Sequence, residues 1–300
     1  MFIMLVGCPG SGKSTWAQTF KKDAEEREYE VCTVSSDAIR EELWGDECTQ
    51  REPEKVFELA HRRIIEALEQ DCDFVIFDAT NIKAKHRRAL MQKIARFDCE
   101  KRCYIFAEPF HILCMRNRKC QCQVPEVAIR RMITQFEMPL FTEGYDTIEL
   151  YNRNQVNLDE CIEHMRDYDQ ENPRHTFDLL THCREAAKVV NKDTTLPQAV
   201  GVAAFLHDVG KIFTKTFFDM KGRETEIAHY YGHGEVGGYL ALLFDANWRF
   251  EERLMIAQMI CYHMVPYDVK TDKARDRWKE RLGALYPMIM AIHEGDKAAH

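Results

Sequence analysis

Gly7-Cys8-Pro9-Gly10-Ser11-Gly12-Lys13-Ser14 leaves the start of this chain very few ways to fold. It reads G-x-x-x-x-G-K-S, follows an apolar run from Phe2 to Val6, and leads into a helix expected over 13–27. Glycines there let backbone N–H groups turn inward around phosphate oxygens at a helix N-terminus. Lys13 can then reach the β- and γ-phosphates, and the Ser14 hydroxyl can help hold Mg²⁺. Gly7, Gly10, Ser11, Gly12, Lys13, Ser14 and Thr15 are therefore expected to bind ATP or another nucleoside triphosphate. A plain glycine turn is the competing reading, and the complete motif in this context disfavours it.

Strand-like apolar stretches recur near 2–6, 30–34, 73–78, 101–107 and 147–151, separated by helical patterns near 13–27, 37–44, 53–70, 83–97 and 110–118. Such alternation predicts an α/β domain, a parallel sheet flanked by helices, with its ligand site at the carboxyl ends of the strands. After the second strand come Asp37 and Arg40, three apart and so on one face of a first helical turn. Asp37 reads equally as a helix cap and as a base, with Arg40 a phosphate clamp. Asp78 closes the third strand, where phosphate-loop enzymes place a Mg²⁺-organising carboxylate. Lys83, Lys85, His86, Arg87 and Arg88 then form a basic run, either a solvated helix face or a nucleic-acid contact. Arg116 and Arg118 precede a further helix expected over 126–137, as on a mobile lid.

A chain of 300 residues suggests two domains. Its formal charge of −8 confines any nucleic-acid contact to a local basic surface. The twelve cysteines lack a paired framework, and zinc is disfavoured, so free thiols in a reducing cytoplasm are expected. The opening apolar run is too short for a signal peptide and no span reaches transmembrane length, so no membrane association is expected. Composition leaves the oligomeric state open.

The run Gly7 to Ala17, with Asp37-x-x-Arg40, Asp78-Ala-Thr-Asn81 and Arg116-Asn117, resembles the phage-type polynucleotide 5′-kinase family over roughly 1–150. The resemblance implies Asp37 as general base on a 5′-hydroxyl, Arg40 on the acceptor's phosphate, and lid arginines at the transferring phosphoryl group. Cys120 stands where a second lid arginine is expected, which leaves Arg118 as its stand-in, and Asp78 is displaced by Ala79 from Thr80-Asn81.

Polar sequence over 153–173, with a helix expected at 158–170, reads as the join between domains of 1–152 and 174–300. Beyond it, helices are expected near 175–190, 197–210, 233–246, 250–264 and 284–298, with a hairpin near 213–229. His182, His207-Asp208, His233, His263 and Asp296 are spread over this all-α half, and such a set can converge on one divalent ion that activates water. With Gly210-Lys211 they resemble the HD phosphohydrolase superfamily. That resemblance implies His182, His207, Asp208 and Asp296 as metal ligands, and His233 and His263 for a second metal or the substrate phosphate. Lys211 is expected to meet a phosphate, and His175 and His229 are weaker alternatives. Mn²⁺, Ni²⁺, Co²⁺ or Fe²⁺ would suit the site.

A P-loop kinase domain followed by an HD domain leads to an expectation of end healing: ATP-dependent phosphorylation of 5′-hydroxyls, and hydrolysis of 3′-phosphates or 2′,3′-cyclic phosphates. Nucleic-acid ends, RNA ahead of DNA, would be the substrate, with a ligase as partner. The alternatives are a nucleoside or nucleotide kinase joined to a nucleotidase or sensing domain, and a non-catalytic ATP-dependent RNA switch.

Overall fold

Phe2, Ile3, Met4, Leu5 and Val6 expose nothing to solvent. A strand apolar on both faces must lie inside a covered sheet, and β1 (Phe2–Gly7) does so, between β3 (Phe74–Asp78) and β4 (Lys101–Phe106). With β2 (Val31–Ser35) and β5 (Thr147–Tyr151) the sheet has five strands in the order β2-β3-β1-β4-β5, all parallel. Helices α1 (Lys13–Glu25), α2 (Ser36–Trp44), α3 (Pro53–Glu69), α4 (Ala84–Ile94), α5 (Phe110–Asn117) and α6 (Glu126–Ile133) complete this region. Trp16 on α1 packs edge-on against Tyr104 at 4.9 Å and stacks on Phe20 at 5.0 Å, sealing that helix to the sheet. The sheet brings the residues after β1, β2 and β3 to its carboxyl edge, beside the point where strand order reverses.

The computed structural model describes residues 1–173 and 176–299. They form two compact units, Met1–Met132 with Pro139–Arg153, and Ile133–Met138 with Asn154–His300. This is not a single division near 152. Phe136 and Met138 are fully buried in the second unit, Met138 N–H reaching Cys261 Sγ at 3.4 Å and its carbonyl accepting from Tyr262 Oη at 2.6 Å. Accordingly α6 ends at Ile133, short of the expected 137.

The second unit is helical: α7 (Leu158–Met165), α8 (Leu179–Val190), α9 (Gln198–Leu206), α10 (Lys211–Thr214), α11 (His233–Ala241), α12 (Phe250–Tyr262), α13 (Val265–Asp268), α14 (Asp272–Leu282) and α15 (Leu285–Ala298). A hairpin pairs β6 (Thr216–Phe218) with β7 (Glu224–His229). The helix expected from 175 starts at Leu179, because the Asp178 carboxylate caps it by accepting from Thr181 N–H at 3.0 Å. The helix expected to 170 stops at Met165, just before Asp167 takes a left-handed φ of 53°. Helix α14, not anticipated, has no apolar stripe to announce it; only Leu282 is buried.

The expectation of free thiols throughout is corrected. Cys32 bonds to Cys72, and Cys48 to Cys122, while eight other cysteines are free. Sequence spacing carried no sign of these pairs, which depend on neighbouring strands and loops meeting across 40 and 74 residues. No described helix is long and apolar enough to cross a membrane.

Candidate active sites

The loop after β1 needs glycine where it bends inward. Gly10 and Gly12 have φ of 79° and 99°, and a Cβ on Gly10 would lie 2.8 Å from the Leu113 carbonyl oxygen. Next to Gly12 the space is open, which leaves room for a phosphate at the N-terminus of α1. Lys13 is buried and its Nζ donates to the Cys8 carbonyl at 2.9 Å. Burial pushes the Lys13 amine down against the pull of Asp78, Cys8 and Asp37. Burial likewise pushes the Asp78 carboxyl up, opposed by Lys13 and by a hydrogen bond from Ser14. Asp78, Lys13 and Ser14 thus meet at the loop.

The helix cap of α2 is Ser35, whose hydroxyl accepts from Ala38 N–H at 3.4 Å. Asp37 is therefore released from capping; its side chain is 63% exposed and pairs with Arg40. Arg40 is buried, one nitrogen on Asp37 and its Nε without a hydrogen-bond partner. A buried guanidinium N–H without an acceptor is costly, and an acceptor molecule's phosphate oxygen would supply one.

Arg116 reaches the loop: Nη1 lies 3.3 Å from the Gly10 carbonyl and 3.0 Å from buried Glu108. Arg118 does not. Its side chain is 69% exposed and held by Glu126 at 2.6 Å. The basic run at 83–88 also divides. Arg87 falls on the buried stripe of α4 with Ala84, Leu90, Met91 and Ile94, and makes a bidentate pair with Glu143, both bonds 2.7 Å. Its Nη1 donates to the Asn81 carbonyl at 3.0 Å. Arg87 thus supports the loop after β3 and is closed to any nucleic acid.

In the second unit the predicted ligands converge. His182 on α8, His207 at the end of α9 and Asp296 on α15 form one buried triad; Asp208, His233 and His263 form another. Asp208 joins them, Oδ2 at 3.5 and 3.4 Å from Nε2 of His182 and His207, Oδ1 at 3.1 and 3.7 Å from Nε2 of His233 and His263. Asp296 Oδ1 lies 3.0 Å from His182 Nε2 and 3.5 Å from His207 Nε2.

Each imidazole turns Nδ1 to a backbone carbonyl: His207 to Ala204, His233 to Tyr230 and His263 to Ile260, all at 2.7 Å, and His182 to Ala299 at 3.4 Å. A carbonyl only accepts, so Nδ1 carries a proton and each Nε2 is turned into the cage, the arrangement metal-binding histidines use. Nε2 of His233 and His263 are 3.1 Å apart, a contact that a shared proton or a cation held by both rings would satisfy. Burial, with His233 and His207 beside it, holds His263 down at about 3, so its lone pair stays available. Burial opposes charge on His207, yet the Asp208 carboxylate overcomes it and raises that ring well above its usual range. A positive charge is wanted there, and these residues fit one or two divalent ions. The donor set, imidazole with carboxylate, suits Mn²⁺, Fe²⁺, Co²⁺ or Ni²⁺ better than a thiolate-seeking metal.

Lys211 holds the cage itself. Its Nζ lies 2.6 Å from Asp208 Oδ2 and 2.9 Å from Gln170 Oε1, with the Tyr230 ring 5.4 Å away. His229 stacks on Tyr231 and belongs to neither triad, and His175 lies outside the described residues. Two supporting groups had no sequence signal: Gln170, and Tyr267, whose hydroxyl donates to Asp296 Oδ2 at 2.6 Å.

Residues 2–139 match the AAA domain family AAA_33, and residues 174–293 match the HD domain family. L-seryl-tRNA(Sec) kinase of Methanococcus maripaludis is 28% identical over 172 residues, 54% of this chain and 65% of that protein. A chain of the Pnkp1/Rnl/Hen1 RNA repair complex is 26% identical with a TM-score of 0.39, over 45% of this chain and 43% of that one. A fungal RNA kinase is 17% identical with a TM-score of 0.37, over 54% of this chain and 41% of that one. The chain thus spans 65% of the curated relative, and less than half of each of these two structures.

Proposed function

We propose, from a chain that joins a P-loop kinase domain to an HD domain, that the protein heals broken nucleic-acid ends, RNA in preference to DNA. One domain phosphorylates 5′-hydroxyls with ATP, and the other hydrolyses a 3′-phosphate or opens a 2′,3′-cyclic phosphate. The observation that carries this is the pairing of Asp37 with a buried Arg40 whose Nε lacks a partner. An exposed base beside a buried phosphate clamp suits an acceptor that brings both a hydroxyl and a phosphodiester, as a 5′-terminal nucleotide does.

In the kinase reaction Asp37 takes the proton from the 5′-hydroxyl as its oxygen attacks the γ-phosphorus, and ADP leaves. Lys13 and the backbone N–H groups of the loop meet the phosphate charge, Ser14 and Asp78 would hold Mg²⁺, and Arg116 stands at the loop's edge. Such transfer depends mostly on placement and electrostatics. Arg118 would join only by leaving Glu126. In the HD domain His182, His207, Asp208 and Asp296 would hold one divalent ion, and Asp208, His233 and His263 a second. The chemistry such ions supply when bound is a water made nucleophilic near neutral pH. Lys211 orients Asp208 between the two triads. A ligase that joins the healed ends is the fitting partner.

A second reading has the kinase phosphorylate a hydroxyl on a small molecule or an aminoacyl group, and the 28% identity to a kinase named for L-seryl-tRNA(Sec) supports it. One RNA carrying a 5′-hydroxyl and a 2′,3′-cyclic phosphate, incubated with ATP, Mg²⁺ and Mn²⁺ and followed by mass spectrometry, separates the two. End healing expects a 5′-phosphate and an opened or lost cyclic phosphate. Lys13→Ala and Asp37→Ala should lose only the first change, and Asp208→Ala only the second. An RNA left untouched while nucleosides or seryl-tRNA are phosphorylated would reject end healing.

A further inference from the structure

Helix α14 has little apolar surface to explain it. Leu282 is its one buried residue, and Trp278 is half-covered. A helix polar almost all round is kept by something other than core packing. From Lys270 to Arg281 there are six basic residues and three acidic ones, a local +3 in a chain of formal charge −8. Lys273, Arg277 and Arg281 recur at four-residue intervals and share one face. Lys273 and Arg277 are exposed and make no ion pair with any described residue, whereas Arg275, on another face, pairs with Asp272 at 2.8 Å.

Two contacts fix this ridge beside the histidine cage. The Trp278 ring lies 6.2 Å from that of Tyr262, the residue before His263. On α13, just ahead of α14, Tyr267 donates to Asp296 at 2.6 Å. The ridge therefore starts from the helices that carry two of the cage ligands.

We propose that Lys273, Arg277 and Arg281 bind the phosphodiester backbone of single-stranded RNA, a few nucleotides from the end held in the cage. This rests on reading the cage as a phosphohydrolase of RNA ends. Lys273 and Arg277, exposed and without an ion pair among the described residues, suit successive phosphates, with Arg281 set behind them over the Trp278 ring. A lipid surface would need an apolar helix face as well, and here Trp278 and Leu282 are turned toward the protein.

The test uses the full-length protein and Lys273→Gln/Arg277→Gln, which alters only exposed side chains. Substrates are a 12-nucleotide RNA ending in a 2′,3′-cyclic phosphate and the mononucleotide 2′,3′-cyclic AMP. The variant should raise KM for the RNA by about tenfold, and lower the slope of log Kd against log salt by roughly 1.4 for two lost phosphate contacts. Hydrolysis of the mononucleotide should be unchanged. Asp276→Asn, which adds positive charge, should shift RNA affinity the opposite way. Unchanged RNA KM and salt slope, with mononucleotide hydrolysis intact, would overturn the ridge and leave the phosphohydrolase standing. Hydrolysis of neither substrate by the wild type would instead reject the cage reading, and the salt slope would still decide the ridge. Binding to phosphatidylserine vesicles that the variant loses, with RNA binding unaltered, would also overturn it.

Discussion

Replacing Arg87 by methionine should unfold the sheet domain far more readily than its place in a basic run suggests. Both partners of the Arg87–Glu143 pair are dry, at 0% and 1% side-chain exposure. The change leaves Glu143 buried without its countercharge, which costs about 3–5 kcal/mol. The Asn81 carbonyl loses its donor as well, which adds about 1 kcal/mol. A loss of about 4–6 kcal/mol corresponds to a fall in melting temperature on the order of 10 °C or more for a unit of this size. The sheet domain's transition can be identified by its upward shift with a non-hydrolysable ATP analogue, since a ligand stabilises only the state that binds it. The second variant, Arg87→Met/Glu143→Leu, removes both charges and should recover all but the Asn81 share. Nucleotide affinity should still drop, because Asn81 Nδ2 holds the Leu5 carbonyl at 2.9 Å and the Thr80 carbonyl accepts from Gly7 N–H at 2.9 Å. A single variant that loses less than about 1 kcal/mol, or a double variant no better than the single, would refute the buried-pair account.

Tyr267→Phe removes the hydrogen bond to Asp296 Oδ2 and should weaken Mn²⁺ binding by about tenfold; titration followed by the Mn²⁺ EPR signal reads this directly, and equal affinity would deny Tyr267 a positioning role. His61 is held down at about 4 by burial, then by Lys93 and His86. Unfolding returns it to about 6.5, so the unfolded chain takes up the proton between those values and stability falls as pH drops through that window. His61→Gln should flatten that part of the profile of urea midpoint against pH, and an unaltered slope would count against it. Cys48→Ser should cost about 2–4 kcal/mol in oxidising buffer, given the 74-residue separation the bond closes. In dithiothreitol the cost should vanish, and a persistent loss would mean that packing, not the bond, is responsible.

Much of both sites was legible because their chemistry is written in short runs. The glycine loop stands between a strand and a helix, and His207-Asp208 lie side by side at a helix end. What the sequence concealed was the use of each side chain. Arg87 looks like its neighbours in the run 83–88, and only the helical stripe it shares with Leu90 and Ile94 sends it inward. Lys211 has a phosphate-binder's chemistry but is held by Asp208 and Gln170. Ser35 and Asp37 both suit a cap, and local backbone geometry chose Ser35. The cysteine pairs and Tyr267 join residues distant along the chain. Helix α14, with no periodic apolar face, left nothing for pattern reading to find.

The short passage Ile133–Met138 has a consequence for inheritance. Because it belongs to the second unit while Pro139–Arg153 returns to the first, no single crossover in the gene can separate the two units and leave both whole. A recombinant joined near residue 153 would receive a helical unit lacking Phe136 and Met138, or carrying a foreign segment in their place. Successful exchange would need three coordinated junctions, or a donor whose corresponding segment already fits around Tyr239, Cys261 and Tyr262. Descendants of such a chain would therefore tend to keep the two units together, each diverging in step with the other at that segment.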